Sequence, residues 1–69
     1  MTRRYYHFYT IPTKTMPTAR RRNIDPVQSA KDAREVRDYY NRMEIPTAVF
    51  INQRPEAPDD LPHGERLWR

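Results

Sequence analysis

Arg20-Arg21-Arg22 is the run of this 69-residue chain best suited to chemistry. Guanidinium groups make planar, paired contacts with phosphates and carboxylates. With Arg3, Arg4 and Lys14, the run brings residues 1–24 to +6 with no acid, while residues 25–44 and 45–69 are each −1. All of the net charge of +4 therefore comes from the N-terminal third. Such asymmetry predicts attraction to something acidic, whether nucleic acid, an acidic protein face or anionic lipid. Side chains alternate along a strand, so three successive arginines cannot share one face, and at least one is left for a partner. The competing reading is a solvated basic segment that balances the acidic C-terminal part and contacts Asp59 and Asp60.

The aromatic run Tyr5-Tyr6-His7-Phe8-Tyr9 lies beside these bases. It suits either a stacking platform for single-stranded nucleic acid or a core packed under a helix. Tyr39 adjoins Tyr40 but falls off the helical stripe described below, which marks it as an exposed aromatic anchor of the kind enriched at interfaces. Trp68 is a clasp onto the sheet or a second anchor. Against these binding features, the groups that catalysis uses are sparse. There is no cysteine, Ser29 is the single serine, and the histidines are His7 in a strand run and His63 in the Pro-rich tail. Asp59, Asp60 and His63 imitate metal ligands by type, but adjacent carboxylates in such a segment are ordinarily solvated charge. One glycine, Gly64, excludes a Gly-rich phosphate loop. The expectation is a protein without catalytic residues, metal or cofactor.

The elements that must position these groups follow from periodicity. Arg3–Ile11 reads as a β-strand, with Tyr5, His7, Tyr9 and Ile11 on one face and Tyr6, Phe8 and Thr10 on the other. Neither face is polar, so the strand is covered on both sides or keeps one aromatic face for a partner. Pro12 to Pro17 reads as a loop. A short second strand at about Thr18–Asn23 folds back on the first. Asp25 as N-cap, Pro26 at the first helical position and Gln28 three residues after the cap predict a helix from Asp25 to about Met43. Its buried stripe is Val27, Ala30, Ala33, Val36, Tyr40 and Met43. Its outer face carries the i,i+4 pairs Lys31–Glu35, Arg34–Asp38 and Asp38–Arg42, each worth about a few tenths of a kcal/mol. Pro46 ends the helix, and Thr47–Gln53 is the last strand.

Together these predict an α+β fold, a short and mostly antiparallel sheet of two to three strands with one amphipathic helix packed on one face. Residues 1–54 form a single compact domain, and residues 55–69 a flexible Pro-rich acidic tail. Domains of this size are marginal unless stapled or assembled, and no disulfide is available here. No apolar run reaches the ~18 residues of a membrane span. Met1-Thr2-Arg3-Arg4-Tyr5-Tyr6 lacks the apolar run of a secretory signal, so a cytoplasmic location without membrane association is expected.

Tyr5–Ile11, Asp25–Met43 and the exit Ile45–Pro55 make up roughly half of the chain. In that layout it resembles the very small, often Arg-rich proteins by which bacteriophages disable host machinery, including phage-encoded inhibitors of bacterial RNA polymerase. Such proteins share no diagnostic residues, so the resemblance carries over no site. It implies tight binding to a host protein complex such as RNA polymerase in the host cytoplasm, with the charged surface as the contact. The expected function is therefore a non-enzymatic protein-binding regulator of a host machine. Its contact residues would be Arg3, Arg4, Lys14, Arg20, Arg21, Arg22, Tyr39 and Trp68. The alternatives are DNA or RNA binding through the same basic surface, and a structural peptide stable only with its partner.

Overall fold

In the computed structural model the described residues are 3–62 and 65–68. The element order is β1 (Tyr5–Thr10), β2 (Ala19–Arg20), α1 (Ala30–Arg42), β3 (Thr47–Asn52) and β4 (Asp60–Leu61). This is the α+β fold expected, but with four strands in two antiparallel ribbons, β1 with β3 and β2 with β4. The register of the longer ribbon runs from Tyr5 opposite Asn52 to Thr10 opposite Thr47. Among the described residues the bridge of Tyr9 with Arg21 joins the ribbons, and the Arg22 amide donates to the Phe8 carbonyl at 2.8 Å. The second segment thus folds back on the first, as expected, although its regular part is only two residues long.

The aromatic run of β1 is covered on both faces. Tyr6 and Phe8 pack with Val49 and Ala33, with Ile24, Val27, Ala30, Val36 and Trp68 around them. On the opposite face Tyr9 packs with Ala19 and Leu61, flanked by Phe50, Ala57 and Leu67. Strand alternation explains the division, because Phe8 sits opposite Val49 and Tyr9 opposite Ala48 in the register. His7 is buried on the second face, with Nε2 2.8 Å from Asn52 Oδ1 and 3.1 Å from the Arg54 carbonyl. Two carbonyl acceptors around one ring nitrogen place a proton on it. The first strand is therefore core, and its rings are not a free stacking platform.

The helix begins later than the sequence predicts. Its N-cap is Ser29, extended at φ −121° and ψ 136°, whose Oγ accepts the Asp32 amide at 3.2 Å. Asp25, Pro26 and Gln28 are not its cap, first residue and capping box. Val27 instead exchanges backbone hydrogen bonds with Tyr6, at 2.8 and 3.2 Å. That side of β1 needs backbone partners, and Val27 supplies them as an isolated antiparallel bridge to Tyr6. The stripe shortens accordingly to the buried Ala33 with Ala30 and Val36 partly buried against the first cluster, while Tyr40 is half-buried and Met43 exposed.

At the other end, the Ile45 amide donates to the Tyr40 carbonyl and the Glu44 amide to that of Asn41, at 2.9 and 3.1 Å. This is a Schellman ending with Glu44 at φ 60°, where glycine is the usual residue. Asn41 Oδ1 then accepts the Thr47 amide at 2.9 Å and ties the helix end to the start of β3. Among the described residues the expected i,i+4 ion pairs are not formed, and the helix instead carries Arg37–Asp38 at 3.0 Å.

The expected boundary at residue 54 does not separate core from tail. Leu61 is 3 % exposed and belongs to the second cluster, and Trp68 joins the first. After Asn52 the chain crosses to pair β4 with β2, then returns so that Trp68 bridges Val49 on β3. Residues 53–62 and 65–68 therefore border both ribbons. No helix among the described residues is long and apolar enough to cross a membrane.

Candidate protein-binding surface

The arginine run is engaged within the chain. Arg21 donates Nε and Nη2 to Asp59 Oδ1 at 3.2 and 2.7 Å, and its amide donates to the Asp59 carbonyl at 2.7 Å. The Asp59 hydrogen bond raises the Arg21 pKa above its ordinary value. Arg20 Nε lies 3.4 Å from Asp60 Oδ1. Arg22 is half-buried and its Nη2 donates to the Pro46 carbonyl, while its Nε is buried without a hydrogen-bond partner. Tyr9 donates its hydroxyl to the Pro58 carbonyl, and burial foremost raises its pKa, with Asp59 and Asp60 reinforcing and Arg21 opposing. The geometry is that of the competing reading, in which the run contacts Asp59 and Asp60. The grouping of these acids with His63 includes a residue outside the described ones.

Trp68 is held as a clasp. Its backbone pairs with Val49, its ring lies 5.6 Å from that of Tyr6, and the Arg34 guanidinium sits over it at 5.5 Å. The attraction of a cation to an aromatic face explains where Arg34 goes instead of Asp38. The remaining expected contacts are scattered. Arg3 and Arg4 are exposed just before β1. Lys14 is exposed in a turn closed by the Thr13 amide on the Met16 carbonyl at 2.9 Å, with Met16 also exposed.

Tyr39 remains as the exposed aromatic, 52 % accessible, with its ring edge-on to Tyr40 at 5.4 Å and 88°. It lines a shallow apolar groove with Ile24, Val36 and Tyr40, and Glu35 at its margin. Met43, one turn beyond Tyr39, is 53 % exposed. This face gathers the last half of the helix with the residue that precedes the 25–29 segment. Tyr39 stands off the expected buried stripe as the sequence predicts, whereas Tyr40 and Met43, expected on that stripe, lie half-buried and exposed, and Val36 both packs against the first cluster and lines the groove. The signal lay in Val36, Tyr39, Tyr40 and Met43 themselves, whose i, i+3, i+4, i+7 spacing is a complete apolar stripe. That stripe is rotated from the one formed by Ala30 and Ala33.

No family model, curated protein or solved structure matches this chain.

Proposed function

We propose that this chain is a non-enzymatic protein-binding regulator that docks on a larger host machine through the Tyr39 face of its helix. The observation that supports this is the contrast between its two candidate surfaces. Arg20 and Arg21 already have carboxylate partners at Asp60 and Asp59, whereas Tyr39 and Met43 stand exposed beside a half-buried apolar groove. Exposed aromatics next to a pocket are the side chains that carry binding energy at protein interfaces. Arg3, Arg4 and Lys14 are exposed and steer the approach to an acidic surface rather than supply the anchor. The partner class is a large bacterial complex, with RNA polymerase first to be tested.

The test is binding to purified bacterial RNA polymerase by wild type, Tyr39→Ala and the double variant Arg20→Ala/Arg21→Ala. Loss of a central aromatic should cost about 2 kcal/mol, roughly thirtyfold in affinity. The arginine variant should bind within a few-fold of wild type. The nucleic-acid reading makes the reverse prediction. Affinity for DNA or RNA would fall log-linearly and steeply with salt and depend on the bases.

A further inference from the structure

The short β2 strand presents two different backbone edges. Arg22 donates its amide to Phe8 on β1, and Arg21, the next residue back, donates its amide to Asp59. Beyond Arg21 the chain places Pro58-Asp59-Asp60-Leu61, antiparallel to β2, with Ala19 opposite Leu61 and Arg20 opposite Asp60. Three complementary features seat this segment. Arg21 and Arg20 meet the two carboxylates, Leu61 enters the cluster of Tyr9 and Ala19, and the Tyr9 hydroxyl donates to Pro58. Backbone pairing, a charge pair and one side-chain pocket are the elements by which sheet edges recognise extended peptides.

The charged part of this seating is weakly fixed. The pairing spans two residues on each strand, and the Asp59 and Asp60 side chains are 84 % and 62 % exposed. Exposed ion pairs of this kind contribute little and are screened by salt. Leu61 in its pocket, the Arg21–Asp59 backbone bond and attachment to the same chain, which gives a high effective concentration, hold the segment in place.

We infer that the outer edge of β2, with Arg20, Arg21 and the Tyr9–Ala19 pocket, is a docking site for an extended acidic peptide, and that Pro58–Leu61 is its internal occupant. The partner segment carries two adjacent carboxylates followed by an aliphatic residue and adds to β2 as an antiparallel strand. The internal segment competes with it, so the site is open only when Pro58–Leu61 is displaced. This edge adjoins the face of β1 turned away from the helix and does not involve Tyr39, so it stands or falls apart from the helix-face reading.

The test uses the full chain and a fluorescent peptide of the sequence 57–62, Ala-Pro-Asp-Asp-Leu-Pro. Reversing the internal charges with Asp59→Lys/Asp60→Lys should open the edge. Anisotropy should then show at least fivefold tighter peptide binding than wild type, and a peptide with Lys-Lys in place of Asp-Asp should not bind. A difference below fivefold, or equal binding of the Lys-Lys peptide, overturns the proposal. A second measurement needs no variant. In the unaltered chain the Arg21 amide, bonded to Asp59, should exchange with solvent at least tenfold faster than the Arg22 amide, bonded to Phe8. Equal protection of the two neighbours would show that the segment does not open separately, and would also overturn it.

Discussion

Trp68 and Val49 exchange both of their backbone hydrogen bonds, each 2.8 Å from nitrogen to oxygen. The pair matters because, among the described residues, the strand that β3 pairs with is β1, on its other side. An unpaired strand edge is a template for association with other chains. Trp68 blunts it, and its ring covers Tyr6 beside the helix cluster. Trp68→Ala should therefore lower stability by about 2–3 kcal/mol, somewhat below the loss from a fully enclosed Trp. Urea unfolding followed by far-UV circular dichroism measures it. An effect within about 0.5 kcal/mol, as at an ordinary surface site, would show that the clasp contributes nothing.

The helix cap separates two readings of its start. Ser29→Ala should cost about 1 kcal/mol, the usual loss of an N-cap hydroxyl. Asp25→Ala should change stability by less than about 0.5 kcal/mol, since Asp25 is exposed and caps nothing. Thermal unfolding of the two variants side by side provides the comparison, and the reverse order would restore a helix beginning at Asp25.

Glu44 offers a gain. Its φ of 60° lies in the left-handed region that an L-residue with a Cβ occupies at a cost. Glu44→Gly removes that strain while also loosening the unfolded chain, and the balance should favour the variant by about 0.5–1 kcal/mol. An increase in the urea midpoint at unchanged slope is the expected result.

Tyr9 gives stability an alkaline limit. Burial raises its pKa above the ordinary 10.0, so the folded state holds the phenolic proton more tightly than the unfolded state. The contribution is fully present below pH 10.0 and is lost as pH rises from there through the folded value. Tyr9→Phe should flatten that decline, measured as unfolding free energy against pH between 9 and 11. An equal slope in the variant would assign the decline to other groups.

Much of the scaffold was legible because it rests on strong local periodicity. The aromatic run of β1, the Thr47–Asn52 strand and the centre of the helix each follow one clear pattern. The limits of legibility were non-local. Asp25-Pro26-Val27-Gln28 has the composition of a helix start, but Tyr6 needed a backbone partner and Val27 supplied it. Ser29, overlooked among stronger-looking signals, became the cap. Asp60–Leu61 is too short and too polar to announce a strand, and its pairing depends on Ala19 and Arg20, some forty residues earlier. The candidate site shows the same division. Tyr39 stood out as the aromatic left off the stripe. That Arg20 and Arg21 would meet Asp60 and Asp59 was visible only as one of two options, since charge composition does not say which acids come close.

The most direct test of the central claim is a pull-down from nuclease-treated bacterial lysate with wild type and with Tyr39→Ser/Met43→Ser as bait. The two baits should unfold at matching midpoints, because both substituted side chains are exposed. The account predicts that wild type retains a defined protein complex after nuclease, RNA polymerase being the first candidate, and that the variant does not. Equal retention by the variant, or recovery only of nucleic acid that nuclease removes, would contradict it.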